Sequence, residues 1–170
     1  MNSHELRLIY NYNNNIKNAV GIYTKYLNEE DNAEGWILGG EDVKLNSNFS
    51  NINQAFYNEF KYLFENFIIT ANIRIEKIKL KYKSIHYHEE YIDYDYYNPI
   101  YDTTYVNTVY NDILNGSKLS FLYNIDKTKN VYLSLSNGFK GGGVNQNPRL
   151  ANSNRLFKPE FNHNIDFGYK

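Results

Sequence analysis

The chain has 170 residues, 18 of them Tyr and 10 Phe against a single Met, and its net charge of -1 provides no global field that would attract nucleic acid. The absence of cysteine excludes a disulfide framework and a thiolate metal site. Tyr, Phe, Ile and Val favour strands, so the composition predicts an all-β protein. No stretch approaches the roughly 20 apolar residues of a spanning helix, and the N-terminus lacks the pattern of a secretory signal.

Seven segments alternate apolar and polar residues, which is the period of a strand with two different faces. In chain order they are residues 5–12, 16–27, 52–64, 67–76, 119–126, 130–139 and 161–169. The third segment also permits a helix, because Phe56, Phe60 and Phe64 stand four apart. The sixth segment is the most regular. It predicts one oily face and one small, polar face, the oily face carrying Val131, Leu133, Leu135 and Phe139.

The fourth segment changes phase at Lys77. Up to Ile75 the apolar residues are at odd positions, whereas Ile78, Leu80 and Tyr82 are at even positions with lysines between them. One explanation is a bulge, which inserts an extra residue and exchanges the two faces. The other is that the strand has left the zone in which its first face was buried.

Three longer segments, residues 28–50, 84–117 and 140–160, are polar and lack a sustained period, so they are predicted to be long loops. Short and long connections therefore alternate along the chain, and all long connections fall at one end of an antiparallel sheet. This rhythm is typical of an up-and-down transmembrane barrel with short periplasmic turns and long extracellular loops.

Few residues suggest a metal site or a catalytic site. His86 and His88 would share one face of a strand, with Glu89 and Glu90 following, and could bind a divalent metal. The acidic run that adds Asp93 and Asp95 could supply an acid/base pair, but such pairs come from separate strands across a cleft. A solvated, charged loop is favoured for both, so no metal site and no catalytic residue are predicted.

Two further motifs have structural alternatives. Lys140 precedes Gly141, Gly142 and Gly143, whereas a phosphate-binding loop needs its lysine after the glycines and a helix beyond it. The glycines are therefore predicted to allow unusual backbone angles where a strand leaves the sheet. A tyrosine cluster could stack on a sugar or a base, although outer loops and interface girdles are rich in tyrosine anyway. Its members are Tyr94, Tyr96, Tyr97 and Tyr101.

The segments GFKGGGVNQ, FKPE and NHNIDFGYK follow one another after the sixth strand. This order resembles the late barrel region of TonB-dependent outer-membrane receptors of the siderophore-receptor type, with weaker likeness at ELRL, GIYTKY and ANIRIE. Asp166 stands where that family usually has Glu. The resemblance assigns a structural role to the matching positions, which are Gly138, Phe139, Lys140, Gly142, Asn145, Pro159, Glu160 and Gly168.

The resemblance implies that residues 1–170 form a partial barrel domain in the bacterial outer membrane, with the plug domain, the TonB box and the last strands outside this sequence. It implies uptake of a ferric siderophore or similar large nutrient through the TonB complex, with outer-membrane lipid around the wall and no cofactor. Two alternatives stay open. One is another outer-membrane barrel such as a porin or adhesin, and the other is a soluble β-sandwich that binds glycans.

Overall fold

The computed structural model of the chain is a single antiparallel sheet with a small second ladder, described for residues 1–37, 42–90, 100–147 and 150–170. Seven strands lie side by side in the order β1-β2-β3-β4-β5-β6-β9, and β7 pairs with β8. The elements are β1 Asn2–Asn11, β2 Ile16–Ile37, β3 Asp42–Phe64, β4 Phe67–Glu90, β5 Ile100–Asn124, β6 Asn130–Lys140, β7 Gly143–Val144, α1 Asn152–Arg155, β8 Leu156–Phe157 and β9 Glu160–Tyr169. No helix in this described part is long and apolar enough to cross a membrane.

The up-and-down order confirms the predicted all-β, antiparallel architecture with seven strands. Phe56, Phe60 and Phe64 lie in β3, so the helical interpretation of this segment is wrong. A spacing of four equals two strand periods, which is why the pattern fitted both structures. Residues 12–15, 65–66 and 125–129 form short connections at one end of the sheet, as the rhythm of connections predicted.

Two of the predicted long loops are mostly strand. Residues 28–50 and 84–117 belong largely to β2, β3, β4 and β5, which are 22 to 25 residues long. The pairing of β3 with β4 continues without a register shift from Phe64 opposite Phe67 to Lys44 opposite Tyr87. Backbone hydrogen bonds, which need no apolar face, hold these polar extensions in the sheet, so hydrophobic alternation could not reveal them.

The long strands divide into two zones. We call the lower wall the part near the short turns, formed by residues 16–23, 55–64, 67–76 and 115–124 and flanked mainly by β1, β6 and β9. We call the upper wall the continuation of β2 to β5 beyond it, formed by residues 24–37, 42–54, 77–90 and 100–114. The two zones share strands but differ in which face is apolar.

The outward face of the lower wall is an exposed apolar belt. Leu133 is 37% exposed and Phe167 is 73% exposed, and no second sheet in the described residues covers them. The face-to-face packing of a β-sandwich is therefore not the architecture of this part of the chain. Register places the belt residues in rows across the sheet, such as Ile16, Tyr62, Ile69, Phe121, Leu133 and Phe167.

In the upper wall the buried apolar residues lie on the inner face. Ile78, Leu80 and Tyr82 are buried, whereas Lys77 and Lys79 are exposed on the outward face. No bulge separates them from Ile75, because the register of β4 with both neighbours is continuous through this point. The phase change at Lys77 is therefore not caused by a bulge. The strand keeps its regular geometry, and it leaves the zone in which its outward face is apolar.

The inner face of the upper wall is covered by the segment between β6 and β9. We call residues 141–147 and 150–157, with β7, α1 and β8, the strap. Val144 of the strap packs on a buried cluster, and Phe139, at the end of β6, packs there too. The sequence predicts Phe139 on the same face as Leu133 and Leu135. This prediction is wrong, because the Phe139 side chain packs on the inner face. The cluster consists of Ile78, Leu80, Tyr82, Val106, Tyr110 and Leu114.

Candidate functional site

The inner face of the lower wall forms an open, polar groove of about 630 Å³. Alternation places small and hydrophilic residues on this face of each strand, and the curvature of the sheet brings them together. The side chains lining it come from the first strand of the sheet to the last. They include Glu5, Arg7, Ala19, Tyr57, Glu59, Asn72, Arg74, Gly116, Lys118, Ser136, Gly138, Asn162 and Asn164.

A charged hydrogen-bond network fixes one end of this groove. Arg74 donates from Nε at 2.9 Å and from Nη2 at 2.7 Å to Oε2 of Glu76, and Asn53 Nδ2 donates to Oε1 at 2.7 Å. The Arg74 guanidinium also lies 5.8 Å from the ring centroid of Tyr23. Glu76 is only 7% exposed, so these donors compensate the cost of burying its charge.

Tyr57 lies across the neighbouring strand on Gly21. A Cβ on Gly21 would stand 2.2 Å from Tyr57 Cζ, so only glycine leaves room for the ring. The two residues are direct register partners, and the Tyr57 hydroxyl donates to Glu5 on the next strand. Gly168 and Tyr132 repeat this arrangement between β9 and β6. Each pair places a rigid ring flat along the wall and keeps the groove open.

The groove presents charges of both signs together with amide and hydroxyl groups. Lys118 is exposed there, and Arg74 is partly exposed beside Glu76. Such a surface can bind a polar solute or a polar protein face by hydrogen bonds and ion pairs. No group of three or more His, Cys, Asp or Glu is placed to hold a metal in the described ranges.

No family model matches the sequence, and no curated protein matches it. Among solved structures, the ferric yersiniabactin uptake receptor FyuA from Yersinia pestis is similar to 98% of this chain, with a TM-score of 0.72 and 19% sequence identity. The chain has the fold of part of a β-barrel wall. It spans 25% of the length of that receptor. The all-β wall that the resemblance in sequence implied is thus confirmed at the level of the fold.

Three of the eight motif positions are glycines in close contact with a neighbouring residue. A Cβ on Gly138 would stand 2.6 Å from Asn162 Oδ1, and one on Gly142 would stand 2.4 Å from the carbonyl oxygen of Phe157. Gly168 carries the Tyr132 ring described above. Any larger residue at these positions would displace a neighbour, so the three glycines permit contact between strands or with the strap.

The remaining motif positions lie around the base of the strap. Lys140 Nζ is 3.9 Å from Glu160 Oε2, and both side chains are exposed. The backbone N–H of Asn145 donates to the carbonyl of Arg155 at 2.7 Å, and the Asn145 Oδ1 accepts from the N–H of Asn147 at 3.0 Å. Pro159 is partly buried just before β9. These positions lie near the strap's ends, away from the charged network around Glu76.

The glycine run from Gly141 to Gly143 serves close packing. The positive-φ residues of the described chain are Glu65 and Gly35, so the predicted need for unusual backbone angles in this run is wrong. A Cβ on Gly141 would stand 2.8 Å from Ile78 Cδ1, and one on Gly143 would stand 2.4 Å from Phe157 Cζ. The run lets the strap approach the inner face of the upper wall.

Burial raises the pKa of the two tyrosines beneath the strap. Burial, together with a hydrogen bond donated to Asp112 Oδ2 at 2.7 Å, raises the pKa of Tyr110 to about 12. Burial also raises the pKa of Tyr82, whose ring is fully buried. Both phenols are therefore neutral at physiological pH, and the Tyr110 hydroxyl is a hydrogen-bond donor.

The histidine pair lies in the upper wall. His86 is fully buried, with Nε2 2.7 Å from Ser84 Oγ, and His88 has Nε2 3.1 Å from Thr104 Oγ1. The two rings stack with centroids 6.4 Å apart. The predicted solvated loop is wrong for these residues, which sit inside a strand. The side chains of Glu89, Glu90 and Tyr101, and all of Asp93, Tyr94, Asp95, Tyr96 and Tyr97, lie outside what the structure describes.

Sequence reasoning did not single out the residues of the charged network. Alternation assigned Arg74 and Glu76 to the polar face of the fourth segment, but no motif marked them. Asn53 and Tyr57 are on β3 and Glu5 is on β1, so only strand pairing brings them together. The available signal was a run of charged and amide residues on the inner face of several neighbouring strands.

Proposed function

We propose that this chain is a sector of the wall of an outer-membrane receptor that imports a ferric siderophore or a similarly large nutrient by TonB-dependent transport. The observation that carries the proposal is the lower wall, which is apolar outside and polar inside, on a fold similar to that of an uptake receptor. A soluble sheet buries its apolar face, whereas a membrane barrel turns it toward lipid.

The dimensions of the belt support this proposal. On β4 the outward apolar residues run from Phe67 to Ile75, which is nine residues, and a tilted strand needs about 9–11 residues to cross a bilayer. Aromatic residues lie at the lower rim, where Phe64, Phe67 and Tyr123 share one register row. Aromatic girdles of this kind mark the boundary between lipid and water.

In the proposed transporter the inner groove faces the lumen. Its mixed charges would contact the plug or a passing hydrophilic ligand, and outer-membrane lipid would surround the belt. Transport driven through the TonB complex needs no bond to be made or broken by the wall. The wall is therefore proposed to carry no catalytic residue and no cofactor.

Cysteine labelling tests the orientation of the wall, because the native chain contains no cysteine. In receptor embedded in membranes, Leu133→Cys should react with a lipid-soluble maleimide and resist a water-soluble one. Lys118→Cys, on the inner face, should react with the water-soluble reagent. Equal reaction of both variants with the water-soluble reagent would contradict the barrel proposal.

Uptake measurements test the transport activity. Cells that express the complete receptor should accumulate radiolabelled ferric siderophore, and an uncoupler that collapses the proton-motive force should abolish accumulation. Uptake that persists with the uncoupler would indicate a passive porin. Absence of uptake with every ferric siderophore tried, alongside uptake of another large nutrient, would retain the receptor class and correct the substrate.

A further inference from the structure

The part of β5 that lies in the upper wall has one edge without a strand partner. β4 pairs with β5 from Ile100 to Tyr123 without a register shift. On its other side β5 pairs with β6 only over residues 117–124, and β6 then continues along β9 alone. Above Ser117, no strand in the described part of the chain pairs with this side of β5. We call residues 103–113 of this side the open edge.

Hydrogen bonds at the short turns show which backbone groups point to the open edge. In an antiparallel strand the N–H and C=O of one residue point to the same side, and successive residues alternate. Asn124 donates its N–H to the carbonyl of Asn66, on the β4 side. Ile125 donates its N–H to the carbonyl of Lys129, on the β6 side. Because the register with β4 does not shift, the odd-numbered residues of β5 direct their backbone groups to the open edge.

Two aspartates close the ends of the open edge. Asp102 Oδ1 accepts from the N–H of Thr103 at 2.7 Å, and Asp112 Oδ1 accepts from the N–H of Ile113 at 2.8 Å. Between these two caps, the edge-facing N–H and C=O groups have no hydrogen-bond partner among the described residues; they belong to Tyr105, Asn107, Val109 and Asn111. Such groups, in line and about 7 Å apart, form a template for a further strand.

At the opposite side of the upper wall, the edge of β2 beyond Tyr26 has no strand partner among the described residues either. That edge is protected, because the register of β2 with β3 shifts between Glu34 and Ile37, and charges and bulges disfavour an added strand. Its acidic residues are Glu29, Glu30, Asp31 and Glu34. The open edge contains no lysine, proline or register shift, and it is rich in Thr, Val and Tyr, which favour strands.

The spacing of the open edge selects an extended peptide, which offers N–H and C=O groups at the same repeat of about 7 Å. A second copy of the wall in the same membrane cannot supply it. Rotation about the membrane normal leaves both β5 strands pointing the same way and, at a strand tilt near 40°, crosses them at about 80°. The strap is already placed elsewhere, since Gly141 and Gly142 pack on the inner face against Ile78 and Tyr110.

The side chains beside the open edge set the character of that peptide. Tyr105, Val109 and Ile113 point outward and are 74%, 45% and 66% exposed. No charged residue lies between Asp102 and Asp112. In an added antiparallel strand, the residues that hydrogen-bond to the odd-numbered residues of β5 have their side chains on the same outward side. Apolar, β-branched side chains at alternate positions of an uncharged peptide therefore fit this row.

We propose that the open edge binds an extended, uncharged peptide segment of another protein as an added antiparallel strand. The added strand lies above the end of β6 and completes the sheet where β6 turns away from β5. The proposed function enters only in excluding the second copy and in placing the upper wall beyond the lipid. The interaction goes beyond that function, because transport through the lumen does not use this edge.

A peptide with a single hydrogen-bonding edge tests the site. The probe is a fluorescent nine-residue peptide (roughly the length of the open edge) of alternating valine and threonine, with every threonine nitrogen methylated. Its valines keep their N–H groups on one edge, and the methyl groups on the other edge prevent growth into fibrils. The control peptide is methylated on every nitrogen. Each peptide is titrated into the complete receptor in detergent micelles, and fluorescence anisotropy measures binding.

Proline variants test which edge the peptide uses. Val109→Pro removes an N–H at the centre of the open edge and no hydrogen bond to β4, so the strand should tolerate it. The matched control is Asn32→Pro on the protected edge of β2. The carbonyl of Ile16 accepts from the N–H of Tyr12, so the even-numbered residues of β2 face that edge. Val109→Thr keeps the N–H. Circular dichroism and Tm should match the native receptor for all three variants.

The native receptor should bind the probe and not the fully methylated control. Val109→Pro should weaken binding about tenfold or more, because the central hydrogen bond is lost and the ring keeps the peptide away. Asn32→Pro and Val109→Thr should bind like the native receptor. Hydrogen exchange of the amides of Tyr105, Asn107 and Asn111 should slow when the probe binds, and exchange along the edge of β2 should not change.

Three results would overturn the inference. Lack of probe binding by the native receptor would show that the open edge is already covered. Equal binding by the native receptor and Val109→Pro would place the peptide elsewhere. A receptor dimer that dissociates in Val109→Pro would place a second copy on the edge.

These results leave the proposed function untouched, because cysteine labelling of the belt tests that function separately. A chain that stays monodisperse in plain buffer and enters no micelle contradicts the membrane wall. The same titration in plain buffer then still tests the open edge.

Discussion

The lower wall and the upper wall are built from the same four long strands and yet have opposite polarity. In the lower wall Ile73 and Ile75 point outward and Arg74 and Glu76 point inward. In the upper wall Lys77 and Lys79 are outward and Ile78 is buried inward. The strand geometry is continuous through this change, so the difference lies in what surrounds each zone.

Each zone places its apolar side where water is excluded. In the lower wall that side is the outward belt, which we propose faces lipid. In the upper wall it is the inner face, where the strap covers Ile78 and Leu114. A period-two pattern therefore reports the side from which water is absent and not the direction of the protein interior.

The largest expected effect comes from the cluster beneath the strap. Leu114 is 1% exposed, and Leu114→Ala should lower the free energy of unfolding by about 2–5 kcal/mol through lost burial and a cavity. The adjacent Ile113 points outward and is 66% exposed, so Ile113→Ala should change stability by less than ~0.5 kcal/mol. Guanidinium unfolding in detergent micelles measures both, and equal losses would show that the upper wall has no buried face.

A charged side chain on the outward face of the lower wall should destabilise the fold. Ile165→Arg should cost about 2–4 kcal/mol if this side chain lies near the bilayer midplane. The neighbouring Asn164 lines the inner groove, and Asn164→Arg should be tolerated there. Folding yield and unfolding free energy in lipid bilayers compare the two variants. A tolerated arginine at position 165 would refute the assignment of the belt to lipid.

A smaller effect is expected where a ring crosses a glycine. Gly21→Ala would place a methyl group on the Tyr57 ring and should cost about 1–3 kcal/mol as an overpacked contact. In the Tyr57→Ala background the same substitution should cost much less, because the obstructing ring is gone. A double-mutant cycle measures this coupling. Additive losses would indicate that a contact other than the Tyr57 ring requires glycine at position 21.

The smallest effect is expected at a short turn. Asp126 Oδ1 accepts hydrogen bonds from the N–H and hydroxyl of Thr128 and from the N–H of Lys129, and the bonds from Thr128 lower the pKa of Asp126. Its stabilising contribution should therefore be present above the ordinary carboxyl pKa and be lost as the pH falls through the lowered value. Asp126→Ala should lower Tm slightly at pH 7, whereas Asp126→Asn, which keeps the acceptor, should change it less.

The resemblance and the alternation together predicted much of the wall but little of its upper half. The late motif from Gly138 to Gly168 pointed to a receptor barrel, and the fold agrees. Alternation did not predict the extensions of β2 to β5, because their polar residues mask the period. The burial of His86, which lies in one of these extensions, was therefore not predicted either. The sequence did not predict the charged network around Glu76, since its members are distant in sequence and no local pattern relates them.

By itself the sequence determined the seven strands near the short turns, their up-and-down order and the point at Lys77 where the apolar phase changes, because these follow from a period of two and from the lengths of the connections along a single chain. Only the tertiary structure showed that β4 passes through the phase change without a bulge, and that the strap covers the apolar inner face of the upper wall. It also decided that Glu5, Tyr57, Arg74 and Glu76 share one groove. Those outcomes depend on pairing between distant strands, which alternation along one strand does not encode.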